Sequence, residues 1–259
     1  MACTLRVQVN LDGYALPIKK LKGTEPVESL DLSGKKLGVA STIVIASLIS
    51  VNGSMTSLDL SNNELCGVTR WGGTYTAEGI TAIADALRVT GGLTSFNLSG
   101  NNLTHYGRDM TGITELAAAL GVNGALTSVE LRGNMLGDKG WGAIFAAICG
   151  NKDSKIMSMD ASSESIGPAG VKLIAEVLRT SVTGSLTELS IYGNCVGDEG
   201  VRAICEAIQS NKETKLASLN FQYNDIGPIG ANAVAAMVAV TGSLTEMRYV
   251  TPKLERIWV

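Results

Sequence analysis

One phrase recurs along the chain: MTSLDLSNNEL starts at Met55, and close variants start at Leu93, Leu126, Leu186 and Leu216. Looser copies start at Val27 and Ile156, and a degenerate one at Leu244. The common form is L-x-x-L-x-L-x-x-N-x-L, with starts 28–38 residues apart. A period of this size marks an array of stacked units. One such unit is too small to bury its own apolar faces, so each must lie against its neighbours.

Each position in the phrase has a physical reason. Alternation sends Leu58 and Leu60 to one face of a short strand and Ser57, Asp59 and Ser61 to the other. The chain then bends at an asparagine. An amide both donates and accepts, so Asn63, Asn101, Asn134, Asn194 and Asn224 are expected to stack as a ladder of side chains. Lys35 and Glu164 interrupt that series. An ionised glutamate cannot donate, so the repeat from Ile156 should be looser or differently hydrogen-bonded. A helix follows each strand, with apolar residues at i, i+3, i+4 and i+7, as in Val201, Ile204, Cys205 and Ile208. Asp138 and Asp198 stand where an N-cap belongs, and Pro168 and Pro228 suit a first helical turn. Helices are wider than strands, so the stack must curve with its strands inside.

These copies, with the helical half Gly-x-x-x-Ile-x-x-Ala-Ile, resemble leucine-rich repeats of the ribonuclease-inhibitor-like type over about residues 27–259. The resemblance implies an α/β fold: a right-handed horseshoe solenoid with a parallel β-sheet on the concave face and α-helices on the convex face. Within that reading residues 1–259 form one domain, with 1–26 an N-terminal cap, 27–243 the repeats and 244–259 a C-terminal capping repeat. Thr4–Val9 reads as a strand, Asn10–Gly13 as a turn and Tyr14–Ile18 as the returning arm of a hairpin over the first repeat. Families of this type include ribonuclease inhibitors, innate immune sensors and activators of the Ran GTPase, which share a large curved binding surface. The resemblance therefore implies a protein-interaction module or scaffold. It leaves open a GTPase-activating role, for which Arg70 would be the candidate arginine, and a structural subunit of a larger assembly.

Composition narrows the partner. A net charge of −3, a pI of about 5.3 and 5% aromatic residues give neither the basic stripe nor the stacking platforms that nucleic acid requires. The apolar stretches Thr42–Ile49 and Ala231–Val240 are too short for a membrane span. Cys3, Cys66, Cys149, Cys195 and Cys205 contain no CxxC pair, which reads as a reducing, cytoplasmic setting. With one histidine, His105, and no H-E-x-x-H, P-loop or G-x-G-x-x-G in suitable context, the expectation is a chain without catalytic residues, metal or cofactor.

Two surfaces rise above the repeat background. Along the concave face the middle residues of L-x-L read Asp31, Asp59, Asn97, Glu130, Asp160, Ser190, Asn220 and Arg248, with Tyr192 two residues beyond Ser190. Strands lie about 4.8 Å apart, so the carboxylates should repel one another until a basic segment of a partner arrives. A flanking column of serines (Ser29, Ser57, Ser95, Ser128, Ser158, Ser218) permits close approach. The second surface comprises insertions at the strand-to-helix junctions of two neighbouring repeats, holding Arg70, Trp71, Tyr75, His105, Tyr106 and Arg108. Tyr, Trp and Arg are the residue types that anchor interfaces, although loops of this composition also pack on themselves.

Overall fold

The computed structural model describes residues 9–69, 72–182 and 184–249. It opens with a hairpin of β1 (Val9–Leu11) and β2 (Tyr14–Leu16), followed by α1 (Ile18–Lys22). The hairpin turns at Asp12-Gly13, both with positive φ (55° and 78°), the geometry that fits the twist of a tight two-residue turn. Asn10 and Leu11 are therefore strand rather than turn, and residues 4–8 of the expected strand lie outside the described part.

Strand and helix then alternate: β3 (Ser29–Asp31), α2 (Val39–Ile49), β4 (Ser57–Asp59), a two-stranded excursion of β5 (Val68–Thr69) and β6 (Gly72–Gly73), α3 (Glu78–Val89), β7 (Ser95–Asn97), α4 (Thr111–Leu120), β8 (Ser128–Glu130), α5 (Gly137–Gly150), β9 (Ser158–Asp160), α6 (Pro168–Thr180), β10 (Glu188–Ser190), α7 (Gly197–Ser210), β11 (Ser218–Asn220), α8 (Pro228–Val238) and β12 (Glu246–Arg248). The three-residue strands of the repeats pair in parallel with their nearest repeat neighbours, β8 and β9 excepted, and Leu58, Phe96, Val129, Met159, Leu189 and Leu219 point from them into the core. From the other side come Ile80, Ile83, Leu116, Ile144, Phe145, Ile174, Ile204 and Ile208. The result is a sheet layer against a helix layer with one continuous apolar core. No described helix is long and apolar enough to cross a membrane.

The asparagine ladder is present and buried. Asn63 Nδ2 donates to the carbonyls of Leu32 and Leu60 (both 2.9 Å), while its Oδ1 accepts from Lys35 N and Leu37 N (2.9 and 3.1 Å). Asn134 likewise donates to Leu98 O and Leu131 O and accepts from Asn101 N. Each amide thus ties the bend of its own repeat to the repeat before it.

The sheet itself is not continuous. It divides into β3-β4-β7-β8 and β9-β10-β11-β12, and the division falls at the repeat where Glu164 replaces asparagine. The cause is local. At other junctions the residue three beyond a strand donates its N–H to the carbonyl two residues beyond the next strand: Gly100 N to Arg132 O and Gly193 N to Gln222 O, both 2.9 Å. At this junction Gly133 N instead donates to Glu164 Oε1 at 2.6 Å, and Leu136 N to Oε2 at 3.0 Å. The longer, acceptor-only side chain captures the donor that would have closed the ladder. It also supplies none of the N–H groups that an asparagine gives to the carbonyls.

The structure corrects one cap assignment. Asp138 and Asp198 lie inside the first turns of α5 and α7 rather than ahead of them. Each caps the helix of the following repeat: Asp138 Oδ1 accepts from Gly167 N (2.8 Å), and Asp198 Oδ1 from Gly227 N and Gly230 N (2.7 and 2.9 Å). A Cβ at Gly170 would stand 2.3 Å from Asp138 Oδ1, which explains the small residue in the first turn there. Asp12 of the hairpin acts in the same way on α2, accepting from Gly38 N at 2.8 Å.

Candidate protein-interaction surface

The concave column is more than a row of like charges. Asp31, Asp59, Asn97, Asp160 and Asn220 each accept, through Oδ1, the backbone N–H two residues on, at 2.7–3.1 Å. These are Asx turns that end the strands, so the short acidic or amide side chain has a local job as well as an outward face. The expected simple repulsion is also relieved laterally. Asn97 Nδ2 donates to Asp59 Oδ2 (2.9 Å), and Arg132 Nε lies 3.4 Å from Asp160 Oδ2. Side-chain and backbone hydrogen bonds from Ser33 hold the Asp31 carboxyl below its usual range. Glu130 is the exception. Desolvation and then the neighbouring Asp160 raise its pKa, against an opposing pull from Arg132. Glu130 and Asp160 face each other across the break in the sheet.

Beyond the break the groove changes character. Ser158, Asp160, Glu188, Ser190, Ser218, Asn220, Glu246 and Arg248 line a depression of about 270 Å³. At the strand ends beside it Tyr192 and Tyr223 meet edge to face, their ring centroids 5.1 Å apart. Both rings are exposed, at 36% and 64%.

On the rim, the two insertions do come together. Tyr75 stacks on His105, centroids 5.2 Å apart and planes within 7°, and His105 lies against Tyr106 at 6.2 Å. Tyr75 donates its hydroxyl to Leu103 O (2.9 Å), and burial, with Cys66 and Asp109 nearby, pushes its pKa well up. Tyr75 therefore holds the loops to each other. His105 and Tyr106 both take positive φ (50° and 57°), fixed in part by the bond from Tyr106 N to Asn102 Oδ1 (2.7 Å). Tyr106 and Arg108 remain exposed. Arg70 and Trp71 lie outside the described residues.

The buried thiols belong to the core. Desolvation pushes Cys66 and Cys205 up to about 12 and Cys149 to about 11, so none is a ready nucleophile. Cys195 is exposed. Among the described residues no group of His, Cys, Asp and Glu is arranged to hold a metal ion.

Residues 185–205 and 212–235, spanning β10 to α7 and β11 to most of α8, match the family described as Leucine Rich repeat. With parallel strands and helices alternating throughout, that match decides the architecture. The fold is a leucine-rich-repeat solenoid. No curated protein matches the chain. Among solved structures, the solenoid is similar to leiomodin-1 actin-binding site 2, with 18% identity, 68% of this chain and 76% of that chain covered, and a TM-score of 0.42. It is also similar to an internalin (inlF) from Listeria monocytogenes, with 11% identity, coverages of 93% and 86%, and a TM-score of 0.30.

Reading the sequence brought Asp160 and Tyr192 into the candidate surface but passed over Glu188, Glu246 and Tyr223. The signal for Tyr223 was there: it stands at the repeat position held by Gly34, Gly100, Gly133 and Gly193.

Proposed function

We propose that this leucine-rich-repeat solenoid is a protein-interaction module that receives an extended basic segment of a partner along its concave face, with the Tyr106 and Arg108 rim loop as a second contact. The reading rests on the column of Asp31, Asp59, Glu130 and Asp160, which lines an open groove floored by small serines. A cationic segment relieves the charge that the fold itself only partly compensates, and small side chains let its backbone come close. No step of covalent chemistry is involved.

The test is affinity capture from native extract with mass spectrometry. It compares the wild type with Asp59→Asn/Asp160→Asn and with a variant lacking residues 70–75. Asparagine keeps the Asx turns and removes the charge, so a lost partner reports recognition rather than unfolding. A partner absent from the Asn variant supports the groove. Recovery of the same proteins by all three chains contradicts it.

A further inference from the structure

The Tyr192–Tyr223 pair lacks the ordinary reason for exposed aromatic rings. Tyr223 is 64% exposed, so no core packing holds its ring in place. Its backbone sits at φ 55°. The equivalent residues Gly34, Gly100, Gly133 and Gly193 take φ 64°–72°, and the other occupants are Asn62 (54°) and Ser163 (57°). Glycine and asparagine take this conformation readily, whereas a bulky side chain there is an outlier. The chain thus accepts a strained tyrosine at a turn where glycine would fit without cost. Strain of this kind gathers at sites that bind.

The arrangement also fits one kind of visitor. Edge-to-face packing leaves an aromatic face uncovered, and no cation of this chain lies over either ring among the described residues. The adjoining depression brings the carboxylates of Asp160, Glu188 and Glu246. Its cations are already engaged: Arg248 pairs with Glu246, and Arg132, across the break, pairs with Asp160. An electron-rich face beside a groove whose carboxylates outnumber its arginines selects a planar cation, and guanidinium both stacks and pairs better than ammonium.

We propose that Tyr192 and Tyr223 are the anchor of the C-terminal half of the groove and hold one arginine side chain of the partner's basic segment, its guanidinium against the rings and its charge favoured by the net negative groove alongside. This rests on the groove reading above and adds to it the side chain recognised and the place where it seats.

The experiment uses a short labelled arginine–serine peptide, with citrulline–serine and lysine–serine peptides of the same length, titrated by fluorescence anisotropy at low and physiological salt. The wild type should bind the arginine peptide, bind the lysine peptide more weakly, and bind the citrulline peptide least. Tyr192→Ala and Tyr223→Gly should each weaken the arginine peptide by about tenfold, while Tyr192→Phe should keep most of the affinity. Tyr223→Gly should at the same time raise Tm, because glycine relaxes the turn. A structural tyrosine would give the opposite sign. Unchanged affinity in both tyrosine variants, or a lowered Tm for Tyr223→Gly, overturns the anchor. If no peptide binds the wild type but Asp59→Asn/Asp160→Asn still loses its native partner, the anchor falls and the groove stands. Arginine binding that depends on the tyrosines, with capture indifferent to Asp59 and Asp160, keeps the anchor and removes the charged groove.

Discussion

The junction between β8 and β9 and the junction between β9 and β10 are built from the same repeat, with the same apolar positions on either side, yet only the second is a ladder. At the second, Asn194 gives its amide hydrogens to Ala161 O and Ile191 O and takes Glu164 N and Ile166 N. At the first, Glu164, 2% exposed, only takes. The helix layer shows no matching gap, since Asp138 reaches from α5 to the start of α6 across that same junction. The contrast teaches that sheet continuity here is decided by one buried side chain's donors. The helices hold the two halves together where the sheet does not.

The largest test of that contrast makes a second junction like the first. Asn134→Asp buries a carboxylate beside Leu98 O and Leu131 O and removes both donors, and should cost about 3 kcal/mol or more. Urea denaturation reads it as a fall in the midpoint, and a loss under about 1 kcal/mol would deny the ladder its role. Next, Asp138→Ala should cost about 1–2 kcal/mol and lower the m-value, because it removes a stitch where the sheet side keeps only the bond from Met157 N to Thr127 O. Asp198→Ala, across a junction with an intact ladder, should lose stability with m unchanged. Equal m-values would break the distinction. The reverse change, Glu164→Asn, should gain about 1 kcal/mol and join the two sheets.

The smallest effect concerns Glu130. Its carboxyl titrates above its ordinary value because desolvation and Asp160 disfavour the charge. Folding is therefore unopposed by this group at pH below the ordinary glutamate range, and is opposed increasingly as pH rises through the elevated folded value. Glu130→Gln should raise Tm at neutral pH and give no advantage in acid. The same gain at both pH values would rule out the electrostatic cause.

The repeat made the architecture legible, because each position in L-x-x-L-x-L-x-x-N-x-L has one geometric use. Even the irregularity at Glu164 could be read, since a carboxylate has no hydrogen to give. What could not be read was which neighbour a polar side chain serves. Asp138 and Asp198 look like caps of their own helices, and only stacking shows them capping the next repeat's. The acidic column has the same lesson: Asp59 and Asp160 read as repelling charges, while the structure also gives each a backbone N–H to hold. At the site, Tyr192 stands out by type, but Tyr223 stands out only by the glycine it replaces, and their pairing depends on register between repeats.

Native-state hydrogen exchange tests the central claim most directly. Resolved amide by amide, it compares Leu131 and Gly133 with Leu98 and Gly100 one repeat earlier. Faster exchange at 131 than at 98, abolished by Glu164→Asn, is the result expected when one side chain opens the sheet. Equal protection at both junctions, in wild type and variant alike, would contradict it.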